Sequence, residues 1–174
     1  MEKGKIPQIL NNFRAYADDG ALLGTVDVEL PELEAITEEI KGAGIAGTAD
    51  MPIQGHYGAL TLKLNWRTTT DAQLAMTAPK AHKIELRGSV QTYDSTNGTY
   101  ATTPLKIVTK AIPKKTPLGK LASGEKMDAG NEFEVIYLKL LLADKEWIEI
   151  DKLNFICKID GKDYLESVRS DLGI

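Results

Sequence analysis

The chain is poor in the residues that carry catalysis, metal binding and membrane insertion. Its 174 residues include one cysteine, Cys157, and two histidines, His56 and His82. A single thiol excludes an intramolecular disulfide and a cysteine-clustered zinc site. Each histidine is isolated, with no His, Cys or carboxylate cluster at ligand spacing, so neither a metal nor any other cofactor is expected. No window approaches the roughly 18 consecutive apolar residues of a membrane helix. The opening Met1-Glu2-Lys3-Gly4-Lys5 leads into no apolar signal core. Stable membrane insertion is therefore not expected, and synthesis in a reducing cytoplasm is the simplest reading. The net charge of −4 gives no electrostatic case for non-specific nucleic-acid binding, which needs clustered Lys and Arg to displace counterions.

What is present is alternation. Residues 133–142 and 146–159 form two long runs rich in β-formers, separated by the polar Ala143-Asp144-Lys145. They read as antiparallel strands joined by a tight turn. On the first, Ile136, Leu138, Leu140 and Leu142 share a face. On the second, the apolar phase moves by one residue, from Ile148 and Ile150 to Leu153, Phe155, Cys157 and Ile159. A phase change within a strand predicts a β-bulge near Asp151-Lys152. Residues 59–67 alternate most cleanly, with Leu60, Leu62, Leu64 and Trp66 against Thr61, Lys63, Asn65 and Arg67, the pattern of a sheet with one buried and one wet face.

Residues 24–30 read as a further strand, and residues 33–41 also as a strand despite a Glu-rich content that favours helix. Thr68-Thr69-Thr70-Asp71 offers N-caps for a short helix over 71–78, ended by Pro79. Residues 83–93 and 99–112 form strands around an Asn97-Gly98 turn, the second weakened by Pro104 and so placed at an edge or a strand start. Residues 162–172 space Leu165, Val168 and Leu172 as a short C-terminal helix, after an Asp160-Gly161 turn. Residues 6–23, with a turn at 18–20, read as an irregular arm or edge element. Two long connections remain. Residues 42–57 carry Ile45, Met51 and Ile53 on a loop, as a surface covered by another chain does. Residues 113–131 are rich in Lys, Gly and Pro and are read as mobile or ordered by a partner. One domain, residues 1–174, accounts for the whole length.

Three features invite chemistry. Gly42-Ala43-Gly44-Ile45-Ala46-Gly47 matches a dinucleotide fingerprint, but that motif must open a helix, and here Pro52 and Gly55 follow. Cys157 sits on an apolar strand face, as a buried small hydrophobe does. Glu29, Glu32, Glu34, Glu38 and Glu39 form an acidic run, either a solvated face or a wall that repels a polyanion. From the residues alone, a self-assembling structural protein, a small-ligand or carbohydrate-binding β module and a cryptic enzyme using His56 or His82 all remain open.

In order along the chain, several segments resemble the major tail tube proteins of contractile-tailed bacteriophages and phage tail-like bacteriocins. They are Asn12-Phe13 with Asp19-Gly20 and Gly24, then Leu30-Pro31-Glu32-Leu33 followed by Gly42, Gly44 and Gly47. Next come Ala78-Pro79-Lys80 and Leu86-Arg87-Gly88. The C-terminus carries Tyr137-Leu138-Lys139-Leu140, Glu149-Ile150-Asp151-Lys152-Leu153-Asn154, Asp160-Gly161, Leu165-Glu166, Arg169 and Leu172-Gly173-Ile174. The resemblance implies a mainly β, antiparallel sandwich or barrel-like fold with a short flanking helix. It implies a non-enzymatic subunit of hexameric rings stacked into a tube, with sheath, tape measure, baseplate and tail terminator proteins as partners. The resemblance leaves either DNA, without specific binding, or nothing to pass through such a lumen, and type VI secretion tubes share the architecture. An inter-subunit loop is then expected at Gly42, Gly44, Ile45, Gly47, Met51, Pro52, Ile53, His56 and Tyr57. Glu34, Glu38, Lys63 and Asn65 become candidates for the lumen face. The resemblance also implies a home in the virion tail, assembled in the bacterial cytoplasm.

Overall fold

The computed structural model describes residues 4–17, 20–24 and 26–174. In chain order the elements are β1 (Lys5–Ala17), β2 (Ala21–Leu22), β3 (Val26–Glu29), β4 (Ala35–Lys41), β5 (Thr48–Tyr57), β6 (Thr61–Trp66) and α1 (Asp71–Ala75). They continue with β7 (His82–Asp94), β8 (Thr99–Lys115), β9 (Ala129–Leu142), β10 (Lys145–Asp151), β11 (Ile156–Ile159), β12 (Lys162–Asp163) and α2 (Glu166–Leu172). All the strand pairings are antiparallel.

β9 is the spine of the main sheet. One edge pairs with β8 along its length, while the other pairs first with β6 and then with β10. The sheet runs β12-β11-β10-β9-β8-β7-β1-β2, and β3 joins through β6. Ala143 and Asp144 both have positive φ, 52° and 60°, the backbone of a two-residue hairpin turn that matches strand twist. Leu60, Leu62, Leu64 and Trp66 are all buried, as their alternation predicts, and pack with Ile84, Ile107, Phe133, Val135 and Ile150. Trp66 Nε1 donates to Asn131 Oδ1 at 2.8 Å. Asn131 Nδ2 in turn donates to the Gln73 carbonyl, which ties β9 to α1. The predicted cap forms: Thr70 Oγ1 accepts from the Gln73 amide at 3.2 Å, although the helix ends at Ala75.

Five sequence readings change. The irregular arm at 6–23 is mostly β1, a thirteen-residue strand on β7. Register shifts between Pro7 and Ile9 and between Leu10 and Asn12 interrupt its period of two and hide it from pattern reading. The turn expected at 18–20 lies partly outside the described residues, as do Met1–Lys3 and Thr25 of the predicted strand 24–30. The expected bulge near Asp151-Lys152 is a chain reversal instead. Asp151 Oδ1 accepts from the amides of Leu153 and Asn154 at 3.1 and 3.0 Å, and β11 folds back on β10. The bulges in this region sit elsewhere: on β10, where Glu146 and Ile148 face successive β9 residues and Trp147 is skipped, and on β9, where Tyr137 and Val135 face successive β8 residues and Ile136 is skipped. The face of Phe133 and Val135 therefore continues as Leu138, and Ile136 does not share it.

Residues 42–57 are not a loop: all but the first six form β5. The second long connection is shorter than expected, since 113–115 end β8 and 129–131 begin β9. It is pinned by hydrogen bonds from the Lys120 amide to the Met127 carbonyl and from the Met127 amide to the Arg67 carbonyl. Pro104 sits where expected. β9 pairs with β8 only from Leu105 onward, so residues 99–104 lie at an edge that tolerates a missing donor.

Candidate assembly surfaces

β4 and β5 form a separate two-stranded sheet, with Thr37 opposite Pro52 and Lys41 opposite Thr48. An isolated hairpin is marginal in water. This one is anchored at its base. The Gly58 amide donates to the Glu34 carbonyl at 2.9 Å, and Gln54 Nε2 donates to the Tyr164 carbonyl at 2.7 Å. Tyr57 packs on the core. Gly55 has φ +70°, and a Cβ there would lie 2.7 Å from Leu165 Cγ, so the side chain just before α2 seats directly on the hairpin backbone. Beyond this base the hairpin is exposed. Ile36, Ile40, Ile45, Met51 and Ile53 each keep more than 40% of their surface open, and Glu39 stands directly across from Asp50.

The residues expected at an inter-subunit loop therefore divide. Gly42, Gly44, Ile45 and Gly47 form the tip. Met51, Pro52 and Ile53 lie along β5. His56 and Tyr57 belong to the base, where His56 Nδ1 lies 2.9 Å from the Gln54 carbonyl and Tyr57 Oη approaches Cys157 Sγ at 4.0 Å.

A second surface was not singled out from the sequence. β1 pairs with β7 along one edge, but on the other, among the described residues, only Tyr16 and Ala17 have a strand partner, in β2. Its first half carries Ile6, Ile9 and Leu10, all exposed. Leu10 and Phe13 face Val28 and Leu30 across an apolar slot floored by Leu105 and Ile107. β3, on the far side of the slot, pairs only with β6. The signal was the apolar content of residues 6–13, which the two bulges had scrambled.

The four residues expected at a lumen face do not form one group. Lys63 Nζ and Asn65 Nδ2 both donate to Glu29, each at 2.9 Å, and these bonds, Lys63 first, hold its carboxyl below the usual range. Glu34 and Lys63 line one cleft with Glu32 and Glu132. Glu38 lies apart, on the hairpin.

On β9–β11, Tyr137, Lys139, Glu149 and Lys158 form a network. Glu149 accepts from Tyr137 Oη and from Lys158 Nζ, each at 2.9 Å. Burial, and then the Glu149 hydrogen bond, push the Tyr137 phenol up to about 12. Because the folded value lies above the unfolded one, near 10, the stabilisation is whole below pH ~10 and is lost as pH rises toward ~12. Thermal midpoints measured across this window should fall less steeply for Tyr137→Phe than for the natural chain. Equal slopes would contradict the assignment.

Among the described residues no three His, Cys, Asp or Glu side chains gather as a metal site. His82 is buried, with Nε2 3.0 Å from the Ala78 carbonyl. What the described surfaces offer is unpaired strand edge and exposed apolar side chains, the materials of assembly.

Comparison with known sequences points the same way. The sequence profile described as phage tail tube protein FII matches residues 7–173. The chain belongs to this family. The tail tube protein of Escherichia phage P2 is 29% identical over 151 residues, covering 84% of this chain and 86% of that protein. The major tail tube protein of Serratia phage KSP20 is 27% identical over 174 residues, covering 97% and 98%. The family is a structural one, a component of the phage tail, and the mainly β, antiparallel architecture described above accords with it.

Proposed function

We propose that this subunit assembles into hexameric rings that stack as the inner tube of a contractile tail or tail-like particle. The observation that carries this is the β4–β5 hairpin, an anchored projection whose apolar side chains stay open to solvent among the described residues. The hairpin reaches a neighbouring copy, through its tip (Gly42, Gly44, Ile45, Gly47) and its β5 side chains (Met51, Pro52, Ile53). His56 and Tyr57 set its angle from the base. The free edge of β1 and the apolar slot beside β3 supply a second contact. Joining edges between copies removes an exposed strand that otherwise invites aggregation, and a head-to-tail contact that closes gives a ring. The sheath, tape measure, baseplate and terminator proteins meet this tube. The subunit itself is not an enzyme and needs no cofactor. It acts in the virion tail after assembly in the host cytoplasm, as a conduit for DNA or for puncturing an envelope.

Leu10→Lys tests the slot. Leu10 is half exposed, so the variant should fold with a stability change within about 1 kcal/mol. A charge in the seam should then shift sedimentation from large assemblies to monomer. Tubes formed by a folded Leu10→Lys protein would remove the slot from the account.

A further inference from the structure

The β4–β5 hairpin belongs to its own two-stranded sheet, so its angle to the body is set by the chain at its root and by side chains. The root has two glycines, Gly55 and Gly58, on either side of His56 and Tyr57. Gly55 has φ +70°, a conformation that glycine adopts without strain. Small residues at the end of an element are where a hinge absorbs backbone rotation. Lys152 reaches this root from the main sheet. The reversal after Asp151 places Lys152 at a corner, where its amide donates to the Ile136 carbonyl, on the β9 bulge, at 3.0 Å. Its ammonium donates to the Gly58 carbonyl at 2.6 Å and to Glu134 Oε1 at 2.8 Å. The same carboxylate oxygen accepts from the Leu60 amide at 3.3 Å, and Glu134 stands opposite Thr61 on β6. One ion pair thereby brackets residues 58–60, the whole link between the hairpin and β6.

We infer that Lys152 is a positioning residue for assembly: with Glu134 it locks the 55–58 hinge and presents the hairpin at one angle before a neighbouring copy is met. The inference rests on the reading of the hairpin as the inter-subunit contact. Stability alone does not call for a cation here. The Lys152 side chain is 23% exposed and that of Glu134 27%. A partly buried pair of this kind is commonly replaceable by apolar side chains without loss, because desolvation offsets the attraction. What the pair supplies is direction, since an ammonium held by oxygens on two elements fixes the distance between them. The other ties hold residues 54, 55 and 57, on the hairpin side of Gly58. Lys152 holds Gly58 itself and joins it to the partner strand of β6. An arm already held in its bound orientation loses less freedom on binding, which lowers the threshold for association.

The test is a distance measurement by pulsed electron paramagnetic resonance between spin labels at Thr48→Cys, on the hairpin, and Thr102→Cys, on β8, both exposed positions. The natural Cys157 is 1% exposed and is therefore spared by the label. The protein is kept at a concentration where light scattering reports monomer. With Lys152 in place the labels should give one narrow distance distribution. Lys152→Met keeps the aliphatic stem and removes the donor, and should broaden the distribution at least about twofold. In the unlabelled chain the same substitution should raise the concentration at which tubes appear about threefold or more. Lys120→Met is the control with the same change in net charge. It removes a cation paired with Glu125 at 3.1 Å, on the 116–128 loop at the other end of β6, and should change neither readout. A thermal midpoint within a few degrees of the natural one separates loss of angle from loss of fold. If Lys152→Met misfolds, Lys152→Gln, one atom shorter and unable to span both oxygens, carries the same expectations. A narrow distribution in the folded variant, equal broadening in the control, or an unchanged threshold for tubes would each overturn the inference. Tubes from a natural chain whose distribution is already broad sink this inference alone. A natural chain that forms no tubes while the distance pattern holds sinks the assembly reading alone.

Discussion

Trp66→Ala lowers the unfolding free energy by at least about 4 kcal/mol. Trp66 is 2% exposed and lies in the main core with Leu64 and Ala129. Removing a buried Trp side chain costs about 3–5 kcal/mol through lost transfer energy and the residual cavity. The variant also strips Asn131 Oδ1 of its 2.8 Å donor. Asn131 is itself 1% exposed, and an unsatisfied buried acceptor adds roughly 1–3 kcal/mol. Against a typical total of about 5–15 kcal/mol, the variant should be largely unfolded in mild urea. Urea titration followed by far-UV circular dichroism measures this. The other tryptophan is the control: Trp147 is 39% exposed and rests under the Lys145 ammonium at 4.1 Å. Trp147→Ala should cost under about 1 kcal/mol. Similar losses at both sites would contradict the core assignment.

Replacing residues 39–50 by Asn-Gly abolishes tube formation and leaves a folded subunit. The substitution keeps Glu38 opposite Met51 and keeps the anchoring bonds of Gly58 and Gln54, and Asn-Gly suits a two-residue hairpin turn. Every residue removed is exposed, so the midpoint of thermal unfolding should move by only a few degrees. Assembly depends on these same exposed side chains, and light scattering of concentrated protein should report monomer alone. Tubes grown from the shortened chain would show that the hairpin is not the inter-subunit contact.

The strands most legible in the sequence were those with one dry and one wet face. Leu60 to Trp66 could be read directly because nothing interrupts the alternation. Residues 133–142 could be read as a strand but not in register, since the bulge at Ile136 moves the core face from Val135 to Leu138. β1 was lost for the same reason, with two register shifts in one strand. The reversal after Asp151 mimicked a bulge because a four-residue turn and a one-residue insertion both displace the apolar phase. β5 was read as a loop because its residues are exposed on both sides, which leaves no period to detect. Its glycines and apolar side chains were visible, and they marked the right segment for the wrong secondary structure. The lock at the hairpin root was illegible because Gly58, Glu134 and Lys152 are far apart in sequence, and only the pairing of β6 with β9 and the reversal after Asp151 bring them together.

The central claim is that this subunit polymerises into an open tube. The most direct measurement is electron microscopy of the purified protein, concentrated and aged, beside light scattering of the same sample. The account predicts stacked rings around a continuous lumen. Globular monomers that persist at every concentration, with no rings in the images and no growth in scattering, would contradict it.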